Sequence, residues 1–197
     1  MKSLVTLVLT LSLAFLLNTA PAQVGAGLLL GGVGSQIDGD SWGGYKKLGF
    51  NAGGFAWYDF SKRFGIQPEI SFGRRGSREV QNGYGQFTLD YVDVPVLLRI
   101  HFFEQNGVRI TGETGPSANF LLRVQNGFGD LKQDNTQFFR KLNAEYHLGV
   151  CAYFNENLGL FFRWSVGMTN LWGAPNQAWL GIRYVGLGLR LAFITKT

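Results

Sequence analysis

The chain has 197 residues, enough for one sizeable domain, and a modest formal charge of +5 from 18 Lys/Arg against 13 Asp/Glu. Its basic residues are scattered and form no stripe, which excludes the electrostatic footprint of a nucleic-acid binder. Two histidines and one cysteine are too few for the usual metal-ligand sets.

The N-terminus reads as a targeting signal. Lys2 precedes the apolar run from Leu4 to Leu17, and Asn-Thr-Ala20-Pro-Ala22 ends in an Ala-x-Ala cleavage pattern. Residues 1–22 are expected to be removed as a signal peptide, leaving 23–197 as the mature domain. Thr6, Thr10 and Ser12 interrupt the run, so it makes a poor spanning helix. The residue directly after the cleavage position is Gln23 and not a cysteine, which argues against a bacterial lipoprotein. Cys151 is single, has no intrachain disulfide partner, and reads as a small packing residue.

From residue 23 onward the chain alternates with period two, the spacing of strands. The expected strands are 24–36, 47–60, 63–76, 86–103, 108–121, 142–154, 158–170 and 179–195. In the third, Phe64, Ile66, Pro68, Ile70 and Phe72 alternate with Gly65, Gln67, Glu69, Ser71 and Gly73. In the fourth, Val92, Val94, Val96, Leu98, Ile100 and Phe102 alternate with a set holding Asp93, Arg99 and His101. In the fifth, Arg109, Thr111, Glu113, Ser117 and Asn119 share one parity. The sixth sets Leu148 and Val150 against Glu145 and His147. The seventh is the clearest: Leu158, Leu160, Phe162, Trp164, Val166 and Met168 form an oily face, and Arg163 and Ser165 lie on the other. In the eighth, Val185, Leu187, Leu189, Leu191 and Phe193 oppose Tyr184, Gly186, Gly188, Arg190 and Ala192.

Three features turn the oily faces outward. Every lysine falls in the signal, in a loop or at a strand end, whereas a water-bathed strand face would carry some. The opposite face holds Gly, Ser, Thr, Arg and Glu, which suits a crowded interior of paired charges. Tyr58, Phe64, Phe102, Phe154 and Phe193 collect beside short turns with outward parity, as an interfacial girdle requires. Short links (61–62, 104–107, 155–157) alternate with long polar ones (37–46, 77–85, 122–141, 171–178), the rhythm of periplasmic turns and external loops. A sheet in lipid must close to pair its edges. These patterns predict an all-β fold: an eight-stranded antiparallel up-and-down transmembrane β-barrel, integral to the bacterial outer membrane, with both termini periplasmic. Eight strands leave an interior filled by side chains. Pro68 and Pro95 lack a ladder donor, so each should sit at a bulge or broken pair.

Phe64-Gly-Ile-Gln-Pro-Glu69-Ile-Ser-Phe, Tyr91-Val-Asp93-Val-Pro95-Val-Leu-Leu-Arg99, Gly112-Glu-Thr-Gly115-Pro116, Leu158–Asn170 and Val185–Phe193 resemble the PorT-like outer-membrane β-barrel family of Bacteroidetes. The similarity covers nearly all of the mature chain. It implies a barrel in the cell envelope and, for the namesake, an accessory role in type IX secretion and gliding machinery. No catalytic signature comes with the resemblance. The last strand, with Gly188, Leu191 and Phe193, also resembles the signal read by the barrel insertion machinery, although four residues follow Phe193.

The inward set predicts an interior polar network of Glu69, Asp93, Arg99, Arg109, Glu113, Glu145, His147, Arg163, Arg183 and Arg190. It reads either as a path for protons or solutes or as a packed salt-bridge core. The core reading is favoured, because eight strands leave little lumen. The turn at 104–107 places Arg99 beside Glu113, an expected ion pair. His147, Ser165 and Glu145 could form a triad-like cluster of the kind an outer-membrane lipid-modifying enzyme would use. Interior polar groups are more often structural, so neither an enzyme nor a cofactor is expected. Gly186-x-Gly188 and Gly31-Gly32-Val-Gly34 lack the following helix of a phosphate loop. The longest loop, 122–141, holds Asn126-Gly-Phe128, Asp130, Asp134 and Phe138-Phe139-Arg140, and could contact an envelope protein partner. Trp42 and Trp172 could stack on a glycan or rest at the interface. Lipid is the other expected partner.

Overall fold

The computed structural model describes residues 23–79, 85–128, 131–174 and 178–194. The expected signal peptide, 1–22, lies outside them, as does Asp130. The strands are β1 (Gln23–Asp38), β2 (Lys47–Asp59), β3 (Phe64–Arg78), β4 (Gly85–Gln105), β5 (Val108–Phe128), β6 (Leu131–Asp134), β7 (Leu142–Tyr153), β8 (Leu158–Gly167) and β9 (Gly181–Ile194). One 3₁₀ turn covers Thr136–Phe138.

Eight of these strands close into an antiparallel barrel. Each pairs with its sequence neighbour, β5 skips β6 to pair with β7, and β1 seals against β9 from Gly25↔Ile194 to Asp38↔Gly181. Closure leaves no barrel edge unpaired, which a sheet in a hydrocarbon layer requires. β6 adds only to the far end of β5, from Phe128↔Leu131 to Gln125↔Asp134, and rises beyond the barrel as a hairpin.

The two ends of the barrel differ. At the end with the termini, turns are tight. Asn106 (φ 54) and Gly107 (φ 81) supply the left-handed pair of an Asn-Gly hairpin turn between Gln105 and Val108. Asn155 Oδ1 accepts from the backbone N–H groups of Asn157 (2.9 Å) and Leu158 (2.7 Å) to close the next turn. The opposite end carries the long connections and is called the loop end below.

The prolines interrupt the ladder as their missing donors demand. Between β3 and β4 the pairing runs from Pro68↔Val96 to Ser71↔Asp93 with nothing between. Between β4 and β5 it breaks from Pro95↔Ser117 to Leu98↔Thr114. A bulge inserts one extra residue in β5, where Asp90 pairs with Arg123 but Tyr91 pairs with Leu121. Beyond it β5 continues for five more residues, so much of the stretch expected as the longest loop is strand.

The outer face is apolar. Leu28, Leu30, Ile70, Val96, Leu148, Leu160, Phe162, Trp164, Leu187 and Leu189 are all exposed. Tyr58, Phe102, Phe154 and Phe193 ring the turn end and are also exposed. A belt of this kind is stable only against hydrocarbon.

Candidate functional site

The interior is built in layers. Nearest the turn end, Leu29, Phe55, Trp57, Cys151, Tyr153, Phe161 and Ala192 form one apolar cluster. Nearest the loop end, Ile37, Leu89, Tyr91, Leu121, Val124, Phe139, Leu171, Leu180 and Ile182 form another, with Phe87 and Trp172 packed against it. Charged groups lie between and beside them, and one further group lies at the turn end.

Four of these charges make a closed quartet. Arg163 grips Glu69 with two nitrogens, each at 2.8 Å, and reaches Glu113 at 3.4 Å. Arg190 also contacts both acids: its Nη2 lies 2.9 Å from Glu69 and 2.8 Å from Glu113, and its Nη1 donates to Glu113. All four residues are at most 4% exposed. Gln67 adds a hydrogen bond of 2.7 Å to Glu69. The Arg190 guanidinium lies over Phe55 and Phe161, each 5.1 Å away, so its faces contact rings while its edge is held by carboxylates.

A second group lies toward the loop end. Arg75 binds Asp93 through two bonds of 2.7 and 2.9 Å and Glu145 through one of 2.7 Å. Its guanidinium sits over Tyr91 (4.3 Å) and Tyr184 (4.9 Å), and Asn119 donates a further bond to Asp93. At the turn end, Arg99 meets Asp59 at 3.2 Å, His101 Nε2 lies 3.1 Å from the same carboxylate, and Arg109 lies over Tyr153. Four buried guanidiniums, from Arg75, Arg99, Arg163 and Arg190, thus face five carboxylates, from Asp59, Glu69, Asp93, Glu113 and Glu145, and the half-buried Arg109 over Tyr153 is the fifth inward cation. The interior is balanced in charge.

Of the expected network, His147 is buried in the same interior, and most of the rest lies in these groups: Glu69, Asp93, Arg99, Arg109, Glu113, Glu145, Arg163 and Arg190. Arg183 does not. It has the parity of Val185, projects outward near the loop end, and pairs with Asp38 at 2.6 Å with 46% of its side chain exposed. The expected Arg99–Glu113 ion pair is also corrected. The two residues are register partners, but Arg99 bonds to Asp59 while Glu113 is taken by Arg190 and Arg163.

Arg75 and Asp59 escaped the sequence reading although period two places both inside. Arg75 continues the parity of Glu69, Ser71 and Gly73, and Asp59 that of Phe55 and Trp57. Each lies at a strand end, where alternation is hardest to follow.

His147 and Ser165 are register partners, and Nδ1 lies 2.5 Å from Oγ. A nucleophile–base pair would need an acid to orient the imidazole and an opening for substrate. Glu145 is committed to Arg75. His147 is 1% exposed and Ser165 0%, sealed beneath the loop-end cluster. Trp172 does not offer a free platform: its ring packs 5.0 Å from Phe139. Trp42 lies 5.6 Å from Phe87.

A closed antiparallel barrel with an oily exterior, an aromatic girdle and a balanced interior defines an integral outer-membrane barrel. The sequence model described as outer membrane protein beta-barrel domain matches residues 18–173, and the chain belongs to that family. Among solved structures, the attachment invasion locus protein Ail of Yersinia pestis is similar at 16% identity. The match covers 86% of this chain and 98% of that one, with a TM-score of 0.53. The outer membrane enzyme PagL is similar at 11% identity over 83% of this chain and 98% of that one, with a TM-score of 0.51. At such identities the likeness is one of fold. No curated protein matches the sequence.

Proposed function

We propose that this chain is a closed outer-membrane barrel with a structural or interaction role, neither a pore nor an enzyme. Both termini and the tight turns are on the periplasmic side, and the long loops face outward to make contacts. The interior charge network carries the reading: Arg75, Arg99, Arg163 and Arg190 are each bound to one or two of five buried carboxylates, from Asp59, Glu69, Asp93, Glu113 and Glu145, in a barrel that also holds two apolar clusters. Charges committed to one another are not offered to a passing ion, and sealed groups are not offered to a substrate.

The enzyme alternative is tested by comparing lipid A from membranes that carry the wild-type chain or His147→Gln. Identical profiles are expected. A product lost in the variant would make the chain a lipid-modifying enzyme.

A narrower reading makes the chain an accessory component of type IX secretion or gliding machinery. It draws on the PorT-like resemblance of segments such as Tyr91–Arg99. Purification in mild detergent separates the two: components of that machinery co-elute under the narrower reading, and the barrel elutes free of them otherwise.

A further inference from the structure

The outer wall changes character where β3, β4 and β5 rise past the oily belt. From Phe64, at the turn end, to Phe72 there are eight steps along β3. At about 3.4 Å per residue and a tilt near 40°, that spans about 21 Å of a band about 25 Å tall. Phe72 packs on Phe50, ring centroids 5.7 Å apart, and the next outward residue is Arg74. Arg74 therefore marks the upper edge of the hydrocarbon.

Above that edge the outward residues fall in cross-strand rows. Arg74, Asp90 and Arg123 make the lowest row. Thr88, Gln125 and Asp134 lie in the next, and Arg78, Gln86, Gly127 and Lys132 in the third. Lys47 joins them from β2, its Nζ donating to Gln86 Oε1 at 3.0 Å. These elements enclose a cavity of about 200 Å³ lined by Lys47, Arg74, Gln86, Thr88, Gln125 and Lys132, with backbone at Gly127. Among the described residues, no carboxylate lines it.

The charges are unbalanced, in contrast to the interior. Arg74, Arg78 and Lys132 all repel the Lys47 ammonium, and Asp90 is the acid that attracts it. Asp90 is already held by Arg74 through two bonds of 2.7 and 2.8 Å. Asp134, at the end of β6, is engaged by the Thr136 N–H and hydroxyl and lies 3.9 Å from Arg123. Among the described residues, this leaves Lys47, Arg78 and Lys132 as the cations around the cleft that are ion-paired to neither acid. Like charges gathered around a polar cavity are unfavourable in the free protein and favourable once an anion neutralises them.

The geometry points to this cleft as a docking site for the phosphate groups of a lipid headgroup in the leaflet at the loop end. Lysine and arginine supply the charge, the Gln86, Thr88 and Gln125 side chains supply neutral hydrogen bonds, and Phe50 and Phe72 meet the acyl chains below. The inference rests on the proposed orientation only for which leaflet provides the lipid.

The test uses the full chain purified in detergent, with bisphosphorylated lipid A, the same lipid stripped of phosphate, and inorganic phosphate as probes. Lys47→Gln combined with Lys132→Gln removes two cleft cations, and Lys62→Gln with Arg63→Gln removes two exposed cations at the turn end. Heat-modifiable gel mobility verifies that each variant is a folded barrel. The cleft variant is expected to bind lipid A at least about tenfold more weakly, at about 1 kcal/mol per basic residue. The turn-end variant should bind as the wild type does, and stripped lipid should not bind. Wild-type affinity in the cleft variant, or equal binding of stripped lipid, overturns the proposal. Inorganic phosphate saturating the site as well as lipid A overturns it too, by making the site one for the free ion. Binding in detergent is indifferent to insertion, so orientation is read separately, by labelling Lys132→Cys in intact cells.

Discussion

Glu113 is touched by two guanidiniums and is 3% exposed, so its charge has no access to water. Replacing it by leucine leaves Arg163 and Arg190 sharing one carboxylate. Removing one partner of a buried ion cluster costs about 3–5 kcal/mol. Glu113→Leu should lower the urea unfolding midpoint by a corresponding amount in lipid or detergent. Arg183→Gln, at a half-exposed pair, should change stability by less than about 0.5 kcal/mol. Equal effects would mean that the interior quartet contributes no more than a surface pair. Period two alone identified Arg163 and Glu69 as interior residues. It could not name their partners, because Arg163 and Glu69 lie 94 positions apart in sequence and meet only across the closed barrel. The same rule places Arg183 outside with Val185. Charge is tolerated there because the position lies near the loop end, beside Asp38.

The strands are held at their close approaches by residues without side chains. A Cβ on Gly188 would overlap the Leu30 carbonyl oxygen and the Gly31 Cα at the β1–β9 seam. A Cβ on Gly32, in the same seam but on the lipid face, meets nothing within 4 Å. Gly188→Val should therefore weaken closure, seen as loss of the fast-migrating unheated form at lower temperature. Gly32→Val should leave that temperature unchanged or raise it; the reverse order would refute the inward–outward assignment of the seam. All eight barrel strands were legible in the sequence, with ends shifted by a few residues. The extension of β5 and the short β6 were not. The bulge at Leu121–Arg123 throws the alternation out of phase, and beyond it the outward residues are polar because they stand above the hydrocarbon. The basic cleft escaped for the same reason: its residues come from β2, β3, β4, β5 and β6 and look like scattered surface charge until the rows align.

The molecule as a whole is a wall with a filled centre. The apolar layer at the loop end, the ion clusters, and the aromatic layer at the turn end follow one another along the axis, and each removes space that water would need for a continuous path. Conduction would require the ion clusters to rearrange under a field. Conductance of the purified chain in a planar bilayer addresses this directly. The predicted result is a flat baseline at moderate voltage, unchanged on further insertion of protein. Reproducible single-channel steps from the wild-type chain would contradict the closed interior, and with it the role proposed for the barrel.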